Sequence, residues 1–94
     1  MPYIKKESRP KYDSMIQCIV TMLHDGQLGR KYLPDRGVMN YVITKIILGS
    51  LPPDYQYYEL SAVKGMLHDV IDEFQHRVVR PYEDRKKKEH GDVY

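Results

Sequence analysis

The amino-acid sequence predicts an all-α domain of three to four helices, and three observations carry that reading. Apolar residues recur at steps of three and four along three separate stretches, the spacing that lines one face of an α-helix. Pro34, Pro52, Pro53, Gly26, Gly29 and Gly49 fall between those stretches or at their ends, where helix breakers belong. The chain is also short. At 94 residues it makes one domain that, as a monomer, buries only about 60 to 65% of the surface its unfolded chain exposes. One cysteine cannot form an internal disulfide, and no CxxC or paired Cys/His spacing marks a structural zinc. Self-association is therefore the expected source of extra stability, and the domain is expected to be homo-oligomeric.

Residues 1–9 are expected as an extended N-terminal arm, since they carry a run of charges and Pro2, with Pro10 just after them, but no periodic apolar face. Pro10 suits the first turn of a helix over 10–25, with Ser8 or Arg9 near its cap. Tyr12, Met15, Ile16, Ile19, Val20 and Leu23 give that helix its apolar stripe, and Gly26 ends it. "QLGRKYLPDRG" reads as a loop broken by Gly29 and Pro34, after which Asp35 is placed to cap a second helix over 36–49. Its apolar residues, Val38, Met39, Val42, Ile43, Ile46 and Ile47, cover roughly half the circumference, so burial on more than one side is expected. The β-branched run "YVITKII" makes a strand the competing reading, but the period is nearer 3.6 than 2.

"SLPPDYQYY" is the next break, because Pro52 and Pro53 cannot both lie inside a helix. A third helix follows over 57–80, striped by Leu60, Val63, Leu67, Val70, Ile71, Phe74 and Val78. Ser61, Ala62 and Gly65 lie opposite. A mid-helix glycine costs about 0.5 to 1 kcal/mol relative to alanine; it is either simply tolerated or offset by close approach of another backbone. The second helix and this small face are the expected self-association surfaces. Pro81 kinks the helix or restarts it as a short fourth helix over 81–90, leaving 91–94 as a tail. Glu83 and Asp84 would sit at its positive end, Arg85 to Lys88 toward its negative end, and Gly91 at its stop, an order that suits the helix dipole without any ligand.

The net charge of +2 is too small to argue for general nucleic-acid binding. Lys and Arg gather at both ends, in "YIKKESRPKY" and "RKKKEH". Nine tyrosines against one phenylalanine and no tryptophan favour half-wet surfaces, because tyrosine joins a stacking face to a hydroxyl. Cys18 lies in an apolar run and reads as a small buried hydrophobe in a reducing compartment. No apolar run is long enough for a membrane span, and "MPYIKKES" lacks the apolar stretch of a signal peptide. A soluble cytoplasmic protein with no membrane partner is expected.

The start "MPYIKKE", the middle "NYVIT" followed by "LG", and the end "RVVRPYED" with "GDVY" resemble a family of short, uncharacterised proteins found in bacteria and phage genomes. The similarity covers most of the chain and is weakest in "HDGQLGRKYLPDRG". It implies a mostly helical cytosolic protein of phage or prophage origin, with no settled activity. The positions that match the family pattern are Tyr3, Lys5, Lys6, Asn40, Tyr41, Thr44, Glu73, Phe74, Arg77, Pro81 to Asp84, and Gly91 to Tyr94. His76 and Arg80 depart from it, so the resemblance lends no role to either.

Glu73 and His76 have the E-x-x-H spacing of di-iron bundle ligands, but no second copy exists and the pair falls opposite the apolar stripe, where a solvated face belongs. His24 and His68 read as surface or cap residues. Ser14, Ser50 and Ser61 lack a nucleophile-elbow context, no glycine-rich phosphate loop follows a strand, and Asp69 and Glu73 sit on the solvated face. The chain is therefore expected not to be an enzyme and to need no metal or cofactor. Binding has more support. Asn40 and Thr44, one turn apart on the polar edge of the second helix, must find hydrogen-bond partners if buried. Arg77, Arg80, Lys5 and Lys6 offer anion-binding groups, and Tyr3, Tyr82 or Tyr94 offer stacking faces. The leading expectation is non-catalytic binding of an anionic, cyclic-nucleotide-like ligand at a subunit interface by Asn40, Thr44, Arg77, Tyr82, Tyr3, Lys5 and Lys6. The alternative is a protein-interaction adaptor that docks a host protein through "PYEDRKKKEHGDVY". Nucleic-acid binding comes third.

Overall fold

A computed structural model describes residues 3–24 and 32–94, and every regular element in them is helical. The proposed end of the first helix at residue 25, its stop at Gly26 and the loop break at Gly29 lie outside the described residues. Two compact units make up the chain, Tyr3–Pro53 and Asp54–Tyr94. The first carries α1 (Pro10–Leu23) and α2 (Arg36–Ser50); the second carries α3 (Tyr57–Phe74), a π turn (Gln75–Val79) and α4 (Arg80–His90). No helix among the described residues is long and apolar enough to cross a membrane.

The first unit departs from the expected extended arm. Lys6–Ser8 form a 3-10 turn, closed by the Ser8 N–H donating to the Lys5 carbonyl at 2.9 Å and the Arg9 N–H to the Lys6 carbonyl at 3.2 Å. Arg9 precedes a proline, a position biased toward extended backbone, yet it has φ −70° and ψ −42°. Its own Nε donates to the Ile4 carbonyl at 3.2 Å, and these bonds outweigh the bias. Pro10 then opens α1, where its missing N–H costs nothing. At the other end the His24 Nδ1–H donates to the Val20 carbonyl at 2.9 Å, so that histidine closes the helix.

Asp35 caps α2. One carboxylate oxygen accepts from the Gly37 N–H at 2.7 Å and the Val38 N–H at 3.1 Å, which satisfies two of the donors a helix start leaves open. Asp35→Ala should cost about 1 kcal/mol, read as a lower urea midpoint at unchanged slope; an unchanged midpoint would mean that α2 starts elsewhere. α3 begins with a reciprocal cap: Gln56 and Glu59 each bond the other's backbone N–H.

Before Pro81 the helix passes through a π turn and resumes as α4, with Pro81 in its first turn. In a regular helix its ring would collide with the carbonyl of Arg77 and its missing N–H would leave that carbonyl unpaired. The turn just before it takes one extra residue instead, so the Arg80 N–H donates to the carbonyl of Gln75, and the helix passes through a π turn into α4. The chain ends its helix at Gly91, whose φ of +88° is glycine territory and whose N–H donates to the Lys87 carbonyl at 2.8 Å.

No described residue is buried. That overturns two expectations of burial. α2 is open rather than enclosed on several sides, with Tyr41, Ile43 and Ile46 all exposed, and Cys18 is exposed. An amphipathic helix hides its stripe only where something packs on it, and the stripe alone does not say what does. On the small face of α3, a Cβ added at Gly65 would meet nothing within 4 Å among the described residues. Gly65→Ala should therefore raise stability by about 0.5 to 1 kcal/mol without changing the molecular mass in solution. A loss of mass would instead put another backbone against that face.

Candidate functional site

In the first unit, Lys5 caps the 3-10 turn that Lys6 opens, and both side chains are exposed, as is Tyr3. Asn40 and Thr44 are exposed on α2, against the expectation of burial, and the Thr44 hydroxyl donates to the Asn40 side-chain oxygen at 3.2 Å. The pair partly satisfies itself and can reach water for the rest, so its polarity demands no ligand.

Arg77 and Tyr82 belong to the second unit. The Arg77 Nε lies 3.3 Å from a Glu73 carboxylate oxygen, one turn back along the helix. That is an exposed pair of small energetic weight, but it gives Arg77 a carboxylate to lose before it can take an anion. It also uses the carboxylate of the E-x-x-H motif, and among the described residues no cluster of His, Cys, Asp or Glu could hold a metal. Tyr82 has the Arg85 guanidinium 5.7 Å and the Lys86 ammonium 5.6 Å from its ring centre, within range of cation–π attraction.

A groove of about 500 Å³ runs along α4 and is closed on one side by the tail. It forms because Gly91 turns the chain, after which the Tyr94 N–H donates to the Asp92 carboxylate at 2.9 Å and holds the tail bent. Tyr82, Arg80, Lys86, Lys87, His90 and Tyr94 are among its lining residues; Arg77 is not. The sequence pointed to Tyr82, Arg80 and the "GDVY" end but not to Lys86, Lys87 and His90. The available signal was helical spacing, since Lys86 stands one turn beyond Tyr82.

The electrostatics of the groove are mixed. Arg80, Lys86 and Lys87 line it together with Glu83, Asp84 and Asp92. Two of the cations are already engaged, Lys87 with Asp84 at 3.3 Å and Lys86 with Glu89 at 3.2 Å. A lining in which acids offset cations one for one gives little field for an anion.

The sequence model for the family described as Domain of unknown function (DUF6899) matches residues 1–93. The chain belongs to that family. Its match spans both units, so this DUF6899 chain carries the turn at Lys6–Ser8, the α2 polar pair and the α4 groove within one family domain. No curated protein and no solved structure matches it.

Proposed function

We propose that this DUF6899 chain is a non-catalytic protein-interaction adaptor of the cytoplasm, which binds another polypeptide through its helix faces and its C-terminal "PYED…GDVY" segment. One observation carries the reading: no described residue is buried, while large apolar side chains of every α-helix except their polar faces stand open, among them Ile16, Ile46, Ile71, Phe74 and Tyr82. Apolar surface of this extent on a soluble chain marks an interaction site. The mixed charges of the α4 groove fit a polypeptide partner, and a host protein would be the natural target if the phage origin implied by the resemblance holds. Hydrogen exchange and binding of a hydrophobic dye to the purified chain test the reading. Slow exchange across all four helices in a monomer that binds no dye would sink it. Deleting residues 82–94 should abolish capture of a protein partner and leave the fold of the first unit intact.

The nucleotide-binding reading keeps one supporting observation, the Tyr82 ring flanked by Arg85 and Lys86, a stacking face beside cations. Thermal shift with linear and cyclic nucleotides, together with mass spectrometry of co-purified small molecules, decides it. No carried nucleotide and no rise in melting temperature removes it.

A further inference from the structure

α3, the π turn and α4 have 18, 5 and 11 residues and form one continuous helix about 51 Å long. Leu60, Val63, Leu67, Val70 and Phe74 follow the alternating three-four spacing of a coiled-coil seam. In an uninterrupted α-helix the seam would then be lost, because Tyr82, eight residues beyond Phe74, would lie about 80° around the helix. The extra residue of the π turn sets everything after it back by about 100°. Tyr82 is thereby returned to within about 20° of Phe74, Val78 stays on the same face one turn from it, and the stripe runs on into α4. Val70, Ile71, Phe74, Val78 and Tyr82 are each more than half exposed along it, at 53, 62, 58, 53 and 52%.

Charge is distributed along the same helix in two opposed halves. α3 sums to −3, four acids against Lys64, and residues 75–90 sum to +3, six cations against three acids, with histidines neutral. We propose that the apolar stripe of this helix pairs antiparallel with the same stripe on a second copy of the chain. The pairing rests on the adaptor reading and names its partner. Antiparallel packing lays each acidic half over the partner's basic half, whereas parallel packing sets like against like. A two-fold axis also makes every contact reciprocal.

The register follows from both patterns. When paired residue numbers add to about 145, Val63 meets Tyr82 of the partner subunit, Leu67 meets Val78 of the partner subunit, and Ile71 meets Phe74 of the partner subunit. In that register Glu59, on one flank of the stripe, reaches Arg85 of the partner subunit. Lys64, on the other flank, comes level with Glu83 of the partner subunit. The apolar seam and both charged flanks are satisfied together.

Light scattering across a dilution series of the full chain tests this with three variants. The wild type should give twice its 11.1 kDa mass. Glu59→Arg and Arg85→Glu should each weaken the dimer roughly tenfold, since each sets like charges together at two symmetric places. The double variant Glu59→Arg/Arg85→Glu should restore it. A dimer that ignores both single changes, or is not rescued by the double, overturns the antiparallel register. A monomeric wild type overturns self-pairing altogether, and the dye then separates two cases: binding leaves the adaptor reading in place with a different partner, and no binding removes that too. Circular dichroism on each variant shows that a lost dimer is not a lost helix.

Discussion

Replacing Phe74 by Glu is expected to convert the chain to a monomer of unchanged helix content. Phe74 is the only phenylalanine in the sequence and is 58% exposed in the isolated chain. If that exposure described the working protein, a glutamate there would be harmless or mildly stabilising, because it forms helix well and leaves less apolar surface in water. In the antiparallel pair the ring lies near the two-fold axis, against Ile71 of the partner subunit. The change then removes two buried aromatic anchors and brings two carboxylates into the apolar seam. The combined loss is at least about 4 kcal/mol per dimer, or a thousandfold in the dimer dissociation constant. Light scattering from micromolar to millimolar concentration reads it. Ser61→Glu, on the opposite face of α3, is the control and should leave the mass unchanged. A dimer that survives Phe74→Glu places the interface elsewhere on the chain.

The fold class was legible in the sequence because it rests on local rules. The three-four spacing of apolar residues, the aspartate before α2 and the glycine after α4 each act through neighbours no more than a turn away, and each produces its effect in the structure: the Asp35 cap, the Gly91 turn and the helices between. The turn at Lys6–Ser8 was not legible, since the general bias before proline is outweighed by one particular bond from Arg9 to Ile4. The π turn was not legible either. Pro81 announces a disturbance, but whether a helix breaks, kinks or takes an extra residue depends on what the altered register does for residues beyond it.

The candidate site was legible only in part, and for a related reason. Tyr82 and the "GDVY" tail stood out because ordinary helix physics left them unexplained, and both line the α4 groove. Asn40 and Thr44 were singled out on the premise of burial, which a stripe pattern implies only when something covers the stripe; here they are exposed and bonded to one another. The basic run Arg85 to Lys88 reads along the sequence as a patch of one sign. In three dimensions Asp84 and Glu89 draw two of its members into local pairs, and the patch becomes a mixed surface.

Pro81→Ala should make the helix more stable and the assembly weaker. A proline within a helix costs about 3 kcal/mol relative to alanine, and the π turn before Pro81 is the local arrangement that accommodates its ring and missing N–H. Alanine supplies an N–H that can pair with the Arg77 carbonyl, so the segment from Gln75 to Val79 can close into ordinary α-helix. Helicity and the thermal midpoint of an isolated 54–94 segment should rise accordingly. The same relaxation turns α4 forward by about 100° relative to α3, which carries Tyr82 off the line of Phe74 and brings Arg85 and Lys88 onto it. The seam then ends at Val78, and dimer affinity in the full chain should fall by at least about tenfold although nothing apolar has been removed. Circular dichroism and light scattering on the same samples separate the two effects. If helicity rises and the dimer holds, the seam does not extend into α4 and the basic half of the helix pairs with something else. If neither changes, the π turn is set by the packing of the stripe rather than by Pro81, which would make the dimer the cause of the turn instead of its consequence.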